Sequence, residues 1–325
     1  MRIALDAMGG DHAPAEIVRG ALEYAAAAPG DAVLLVGQPE KLQPLLGGAP
    51  ANVKLVPAAQ VIEMGEHPAR ALKEKRESSI VKCVGMCAQG MADGWVGAGN
   101  TGACVGGSLF LLGHLPGVLK AGIATPLPTR KGECTVIDAG ANILPKPQHL
   151  LQYALMGALY AKVRGIAAPR VGILNIGEEE DKGTELVQAA RDLVKKTDLN
   201  YIGFVEPTAI AEGAADVVVA DGFAGNILLK AWEGMGELML GQIDGPLRGS
   251  GDAALVALAD RARLLADFAS YGGAPLLGVK GVTMIAHGRS NAKAIFNALK
   301  RASDCAREKI VEKIAAEISR YPMSA

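Results

Sequence analysis

The chain has 325 residues, of which half are hydrophobic and only 4% aromatic, and its formal net charge is −1. This length is enough to bury a large core. The near-zero charge provides no general field that would attract nucleic acid, so we expect no nucleic-acid partner.

Short β-rich runs alternate with longer helical patterns along the whole chain. Strands are predicted at residues 2–5, 32–36, 53–56, 94–96, 122–125, 134–137, 171–175, 201–204, 217–219 and 282–285. Helices are predicted to begin near Pro14, Glu40, Pro68, Ser78, Gly102, Pro147, Gly183, Pro207, Asn226 and Ser290. This alternation predicts an α/β fold with a mainly parallel sheet and helices on both faces. With no repeat and no low-complexity linker, we predict one domain over residues 1–325.

Residues 241–270 fit this alternation least well. They include Gly245-Pro246 and a Gly-Ser-Gly run at 249–251, followed by an Ala/Leu/Arg-rich helix predicted at 252–268. We predict a helical excursion from the sheet. It is either an arm for dimerisation or partner binding, or an ordinary connecting helix.

Five predicted strands are followed by loops in which glycine stands beside Asn or Asp. These loops are residues 6–12, 97–102, 138–142, 175–183 and 221–226. In open α/β sheets ligands bind beyond the carboxyl ends of the strands. Glycine allows close backbone approach, and helix N-termini bind anions. One such loop is most often only a turn, but the five together predict a polar rim on one sheet edge that binds an anionic ligand.

Residues 97–102, Gly-Ala-Gly-Asn-Thr-Gly, have the glycine spacing of a dinucleotide-binding fingerprint. A nicotinamide site also requires an acidic residue about 20 positions later, which binds the ribose. Residues 120–128 contain no Asp or Glu. We therefore expect phosphate rather than a dinucleotide at this loop. The chain also has no Walker A run and no Gly-x-Ser-x-Gly elbow.

The chain has no His-x-x-x-His or Cys-x-x-Cys pair, so we predict no metal site and no disulfide framework. The cysteines are interpreted as small core residues in a reducing, cytoplasmic compartment. Asp6, Asp11, Asp138 and Asp221 follow strands and could gather around Mg²⁺. The preferred interpretation is that they cap helices and close turns.

Six segments carry a family resemblance: residues 6–14, 98–103, 138–142, 175–179, 221–226 and 271–275. Together they closely resemble the phosphate acyltransferase of bacterial phospholipid synthesis, acyl-acyl-carrier-protein:phosphate acyltransferase. The resemblance extends from residue 1 to about residue 299. It implies a three-layer α/β/α fold similar to phosphotransacetylase and the isocitrate and isopropylmalate dehydrogenases, and a homodimer.

The same resemblance implies a reaction. A fatty acyl group bound to acyl-carrier protein would be transferred to inorganic phosphate. The products would be acyl phosphate and free carrier protein, with no cofactor. The product would supply the glycerol-3-phosphate acyltransferase at the membrane, which implies peripheral membrane association. Two positions depart from the family pattern: Glu206-Pro207-Thr208 replaces Glu-Gly/Ala-Arg, and Arg289 stands where a small residue is typical.

The chemistry agrees with the absence of a Ser-His-Asp set. Phosphate is already anionic, and a thiol with a pKa near ~8.5 leaves readily as thiolate. The enzyme must supply a phosphate cradle, oxyanion donors and alignment. We predict that Lys182 neutralises phosphate or thiolate, Asn226 donates to the oxyanion, and His12 acts as acid or base. The predicted substrate- and phosphate-binding residues are Gly9, Gly10, Asn100, Thr101, Gly102, Asn142, Asp138 and Asp221, with the two aspartates orienting the loops.

Three alternatives stay open from the sequence. The basic run Lys73, Lys75, Arg76 and Lys82 either faces an acidic carrier protein or is a solvated helix face. The enzyme could instead be a phosphotransacetylase that uses acyl-coenzyme A. A non-catalytic scaffold for lipid-synthesis enzymes is disfavoured, because a scaffold has no need of polar strand-end loops.

Overall fold

The structure is a computed structural model that describes residues 1–266 and 271–322. The strands are β1 Arg2–Asp6, β2 Ala32–Gly37, β3 Val53–Pro57, β4 Gly94–Gly97, β5 Gly122–Thr129, β6 Gly132–Ile137, β7 Val171–Leu174, β8 Tyr201–Val205, β9 Val217–Val219, β10 Ala274–Leu277 and β11 Val282–Ile285. The helices are α1 Ala15–Ala27, α2 Pro39–Leu42, α3 Pro68–Glu74, α4 Ser79–Ala88, α5 Thr101–Leu111, α6 Pro147–Val163, α7 Glu185–Val194, α8 Pro207–Ala211, α9 Gly222–Gly249, α10 Ala253–Ala266, α11 Ala292–Arg307 and α12 Ile310–Ser319.

These strands form one sheet in the order β3-β2-β1-β4-β11-β10-β5-β6-β9-β7-β8. The first five strands of this order are parallel to one another, and so are the last four. Between them, β10 and β5 pair antiparallel with both of their neighbours. The predicted α/β class with a mainly parallel sheet is therefore confirmed, but the two parallel halves run in opposite directions.

The register brings the carboxyl ends of the two halves to the same level. Gly97, the last residue of β4, pairs with Ile285 of β11. In the other half, Ile137 at the end of β6 pairs with Val219 of β9. Following the pairs through β10 and β5 places Ile137 within one residue of the level of Ile285. The prediction of one polar rim along a single sheet edge is therefore wrong. The strands of the two halves run in opposite directions and end at the same level, so their loops meet near the middle of the sheet.

Helices cover both faces of the sheet, which makes the fold three-layered. Along β1, Ile3 and Leu5 face the core formed with α1, α6 and α11, while Ala4 faces the core formed with α3, α4 and α5. This alternation is the ordinary two-residue period of a strand buried on both faces. Small residues let the helices approach closely: a Cβ on Gly20 of α1 would lie 2.4 Å from the carbonyl oxygen of Ala292 in α11.

Two sheet elements differ from prediction. Strand β10 was not predicted, because Gly272 and Gly273 before it, both with positive φ, are typical of a turn. Strand β5 continues to Thr129, beyond the predicted end at 125, because it forms an antiparallel hairpin with β6. The prolines within β5 favour an earlier end when local sequence alone is considered.

Residues 241–270 also differ from prediction. Helix α9 runs unbroken through Pro246 to Gly249, so the start of this segment belongs to the helix that begins near Asn226. Pro246 lacks the N–H that would donate to the Gln242 carbonyl, and the helix continues past it for one further turn, where the Ser250 N–H donates to the Pro246 carbonyl. Helix α10 packs back along α9, and Asp244 pairs with Arg263 across the two helices at 2.6 Å. The predicted helix end at 267–268 lies outside the described residues.

The cysteines are Cys83, Cys87, Cys104, Cys134 and Cys305, and all are free thiols. Four are buried and Cys87 is half-buried, which confirms them as small core residues. Burial raises the pKa of Cys134 to about 12, so this thiol stays protonated and unreactive near neutral pH. In the described ranges no helix is both long and apolar enough to cross a membrane.

Candidate functional site

The loops after β1, β4 and β11 interlock at the end of the first half of the sheet; we call them the first loop cluster. The Asp11 N–H donates to the Gly288 carbonyl at 2.8 Å. A Cβ on Gly9 would lie 2.7 Å from the Cα of Gly99, so only glycine fits there. Gly10 has a φ of +107° and lies beside Gly288. Gly9 and Gly10 thus build this cluster, and phosphate contact by their backbone stays a prediction.

Asn100 caps helix α5. Its Oδ1 accepts from the Ala103 N–H at 3.0 Å. Its Nδ2 donates to the carbonyls of Glu63, Met64 and Glu66 at 3.3, 3.0 and 2.9 Å. With the amide engaged in this way, the Asn100 side chain holds the fold, and its contact with phosphate stays a prediction.

The two residues after Asn100 have different roles. A Cβ on Gly102 would lie 2.5 Å from Cγ of Pro68, so this glycine allows α3 and α5 to pack. Thr101 is exposed, and its hydroxyl makes no hydrogen bond within the described part of the chain. Thr101 therefore remains available to a ligand, together with the backbone N–H groups of the first turn of α5.

Replacing Asn100 with Ala is expected to lower the free energy of unfolding by about 2–3 kcal/mol, the combined cost of a lost cap and unpaired carbonyls. Urea denaturation measures this change. Thr101→Ala is the matched control and should stay within ~0.5 kcal/mol of the parent. An Asn100→Ala protein of unchanged stability that no longer binds phosphate would return Asn100 to the ligand site.

The loops after β6 and β9 form the second loop cluster. Asp138 at its centre is fully buried. Its carboxylate accepts from the backbone N–H groups of Ile123, Gly140, Ala141 and Asn142 at 2.9, 3.2, 3.0 and 2.7 Å. Burial raises the pKa of Asp138, and these donors act in the opposite direction by stabilising the charged form. Asp138 therefore holds this loop through its carboxylate, and its role toward substrate stays a prediction.

Helix α9 begins on this cluster. Asp221 caps it by accepting from the N–H groups of Phe223 and Ala224 at 3.0 and 2.8 Å. The carboxylates of Asp138 and Asp221 thus accept from backbone N–H groups, which supports the capping interpretation for these two residues. A Cβ on Gly225 would lie 2.0 Å from the Asp138 carbonyl, so the first turn of α9 presses directly on the loop.

Asn142 joins three segments of the second cluster. Its Nδ2 donates to the Ala121 carbonyl at 2.6 Å and to the Tyr153 hydroxyl at 2.9 Å. Its own carbonyl accepts from the Gly222 N–H at 2.8 Å. As with Asn100, these bonds give Asn142 a structural role, and its contact with substrate stays a prediction.

Asn226 differs from the other two asparagines. It lies in the first turns of α9, is exposed, and makes no side-chain hydrogen bond to any described residue. Its Oδ1 lies 3.5 Å from the position that a Cβ on Gly140 would take. The structure thus leaves an amide free at a helix N-terminus, where a partial positive charge also favours an anion.

A cleft of about 500 Å³ lies between the two loop clusters. Asp11 and Thr101 line it from the first cluster, and Asn226 lines it from the start of α9. Thr125 of β5 lies between the two sides, and His287 follows β11. The cleft therefore brings together two of the predicted site residues, Thr101 and Asn226.

His287 was missed as a site residue. The Arg289 N–H donates to its Nδ1 at 3.1 Å, so its Nε2 carries the proton in the neutral ring. Burial lowers the pKa of His287, which favours that neutral form. The sequence signal that could have identified His287 is Gly288, because it makes the segment after β11 one more glycine-containing loop at the end of a strand. His12, by contrast, is exposed and does not line the cleft.

The cations at the cleft have carboxylate partners. Lys230 pairs with Glu233 at 2.7 Å within α9. Arg289, the residue that departs from the family pattern, pairs with Glu237 at 2.8 Å and so links the loop after β11 to α9. Exposed ion pairs of this kind are weak and open to exchange with an anionic ligand.

Lys182 lies outside the cleft, in the loop after β7. Its side chain is exposed and forms no ion pair with a described residue. Asn175, which begins this loop, is 7% exposed, and its Nδ2 is buried without a partner in the described chain. Its Oδ1 lies 2.4 Å from the position that a Cβ on Gly183 would take. Since β7 pairs with β9, the Lys182 loop and the second cluster leave neighbouring strands at the same end.

Two members of the basic run are already paired. Lys75 binds Glu66 at 2.6 Å, and Lys82 binds Glu77 at 2.8 Å. These pairs reduce the positive charge that the run would offer to an acidic partner. The solvated-face interpretation therefore gains support.

The comparisons with known proteins agree with this geometry. A profile of the family described as "Fatty acid synthesis protein" matches residues 1–313. The phosphate acyltransferase of Desulfitobacterium hafniense is 48% identical over 330 residues, covering 99% of this chain and 98% of the relative. That of Myxococcus xanthus is 46% identical, covering 92% and 88%.

Among solved structures, a phosphotransacetylase from Streptococcus pyogenes superposes with a TM-score of 0.65 at 18% identity, covering 95% of this chain and 94% of that one. A 4-hydroxythreonine-4-phosphate dehydrogenase from Klebsiella pneumoniae gives 0.56 at 17% identity, covering 94% and 99%. These likenesses establish the fold. The sequence matches go further: the chain belongs to the fatty acid synthesis protein family, in which its relatives are named phosphate acyltransferase.

Proposed function

We propose that this protein is a phosphate acyltransferase that transfers a fatty acyl group from acyl-carrier protein to inorganic phosphate. The observation that carries the proposal is the Asn226 amide, which has no hydrogen-bond partner among the described residues. It lies on one side of a cleft whose other side is a glycine-rich helix N-terminus. An anion and a developing oxyanion can be held there together.

The proposed reaction balances without a cofactor. An oxygen of hydrogen phosphate attacks the thioester carbonyl, and the tetrahedral intermediate places negative charge on the former carbonyl oxygen. Asn226 Nδ2 donates a hydrogen bond to that oxygen. The C–S bond then breaks, and the proton of hydrogen phosphate passes to the departing thiolate. Acyl phosphate and the free thiol of the carrier are the products.

Phosphate is proposed to lie against Thr101 and the first N–H groups of α5. Lys182 approaches it, or the thiolate, from the loop after β7. His287, in the loop after β11, donates a hydrogen bond into the cleft through Nε2. Asp138, Asn142 and Asp221 hold the second cluster in place and do not touch the substrates.

The function is tested by incubating the purified protein with palmitoyl-acyl-carrier protein and inorganic phosphate, without added metal. Acyl phosphate and free carrier thiol are expected in equal amounts. Palmitoyl-coenzyme A in the same assay tests the phosphotransacetylase alternative. Faster turnover with the coenzyme A donor would favour that alternative, and failure with both donors would refute an acyltransferase.

His287→Ala is expected to reduce turnover about tenfold, because one neutral hydrogen-bond donor is lost from the cleft. Protonation of His287 at Nδ1 would remove the acceptor for the Arg289 N–H and disturb this loop. Because burial lowers the pKa of His287, the rate of the parent enzyme should fall only at a pH below the pKa of an ordinary histidine. Parallel pH–rate profiles of His287→Ala and His12→Ala measure this. A larger loss in His12→Ala would restore His12 as the acid–base residue.

The protein is further proposed to form a homodimer and to associate with a membrane surface, where its product would reach a glycerol-3-phosphate acyltransferase. Support comes from an exposed apolar ridge on α9 formed by Phe223, Ile227 and Leu238, which are 60, 52 and 55% exposed. Exposed apolar side chains grouped on one helix flank are typical of a contact surface. Sedimentation and vesicle flotation distinguish the two partners.

A further inference from the structure

The cleft between the two loop clusters has an apolar floor. Ile285 of β11, Ala274 of β10 and Ile123 of β5 line the cleft. These residues are 6, 9 and 9% exposed, so each offers the cleft a small hydrocarbon surface. Thr101 and Asn226, the residues proposed to contact phosphate and the oxyanion, line the same cleft from its two sides. The floor is therefore part of the cavity that holds the proposed reaction centre.

The strand register makes this floor continuous across three strands. Ala274 pairs directly with Ile285, and Leu276 pairs with Ile123. Alternate residues of a strand share a face, so Ala274 and Leu276 point to the same side of the sheet, as do their partners. All four belong to one core cluster on that side. With strands ~4.8 Å apart, the floor spans about 10 Å from β11 to β5, where the two halves of the sheet meet.

The floor continues toward α9. Thr125 follows Ile123 by two residues on β5, so it faces the same side of the sheet, and it also lines the cleft. On α9, Leu229 lines the cleft and packs against the core cluster that contains Ile123. Leu229 comes three residues after Asn226, which places both on one flank of the helix. A chain attached to a carbonyl at Asn226 can therefore run past Leu229 onto the floor.

We propose that this apolar floor, together with Leu229, binds the part of the acyl chain next to the thioester and selects for longer chains. The inference rests on the proposed function, in which three groups meet in the cleft: inorganic phosphate, the acyl chain and the thiol-bearing arm of the carrier. Phosphate requires hydrogen-bond donors, which Ile, Ala and Leu side chains lack. The acyl chain is the purely hydrocarbon group among the three. Burial of each further methylene favours binding about fourfold.

The test changes the polarity of the cleft lining and compares kcat/KM for decanoyl- and butyryl-acyl-carrier protein. Leu229→Asn replaces hydrocarbon with an amide of similar size. We expect the decanoyl-to-butyryl ratio to fall about tenfold, because the chain methylenes lose an apolar contact. Leu258→Asn, the same change on α10 at a residue 51% exposed, should leave the ratio unchanged.

A second variant changes the polarity of the floor in the opposite direction. Thr125→Val removes a hydroxyl that makes no hydrogen bond to any described residue. It should raise the decanoyl-to-butyryl ratio about twofold, because it extends the apolar surface. The change is nearly isosteric, so it tests the floor even if Leu229→Asn fails to fold.

A titration without turnover uses alkyl phosphates, which carry the anion and the chain of the acyl phosphate product but no acyl carbonyl. Decyl phosphate, below its micellar concentration, should bind the parent more tightly than butyl phosphate, and Leu229→Asn should reduce that difference. An equal loss for long and short chains in Leu229→Asn overturns the inference, because the floor would then contact phosphate or the carrier arm. So does a parental ratio in every floor variant that folds. If the unaltered protein forms no acyl phosphate from any donor, the proposed function fails, and the titration alone decides whether the floor binds a chain.

Discussion

Replacing Asn226 with Ala is expected to lower kcat by about 10²–10³, the usual cost of one oxyanion-hole donor. This variant separates a catalytic effect from a folding effect. The amide has no hydrogen-bond partner among the described residues, so its loss should leave the fold intact. Steady-state kinetics with palmitoyl-acyl-carrier protein and phosphate measures the change. The loss should appear in kcat, with little change in the KM for phosphate.

Two further variants sharpen this prediction. Asn226→Asp keeps the size but replaces the donor with a negative charge, and should be at least as slow as Asn226→Ala. Asn200→Ala removes an exposed surface asparagine at the start of β8 and should leave kcat unchanged. An Asn226→Ala enzyme with parental kcat would contradict the oxyanion assignment.

Replacing Lys182 with Ala is expected to lower kcat/KM for phosphate about 10- to 100-fold, which corresponds to the loss of one hydrogen bond to a charged group. The effect should appear mainly in the KM for phosphate if Lys182 binds the ground-state anion, and in kcat if it stabilises the departing thiolate. Varying phosphate at saturating donor separates the two.

Two comparisons accompany the Lys182 experiment. Lys182→Arg should retain part of the activity, because it keeps the charge but changes the donor geometry. Lys196→Ala removes an exposed cation just after α7, the helix that follows the Lys182 loop, and should behave as the parent. Parental phosphate kinetics in Lys182→Ala would show that the loop after β7 only borders the site.

The glycines show how much of the structure local sequence pattern can predict. Glycine beside Asn or Asp after a strand predicted where the chain turns, and the structure places Gly9, Gly102 and Gly225 at contacts too close for a Cβ. The pattern did not show that the loops belong to two opposed halves of the sheet. That depends on β10, which pairs antiparallel with β11, the next strand in the sequence, and with β5, which lies far earlier in the chain.

The sequence by itself determined the fold class, the family and the loops that carry polar residues, because strand–helix periodicity and glycine placement are local properties of the chain. Only the tertiary structure decided which polar side chains are free. Asn100 is occupied by carbonyls at 63–66, and Asn142 by groups at 121 and 153. Asn226 has no such partner among the described residues. The three asparagines look alike in the sequence. Which of them is free depends on the polar groups that the fold places within hydrogen-bond distance of each one.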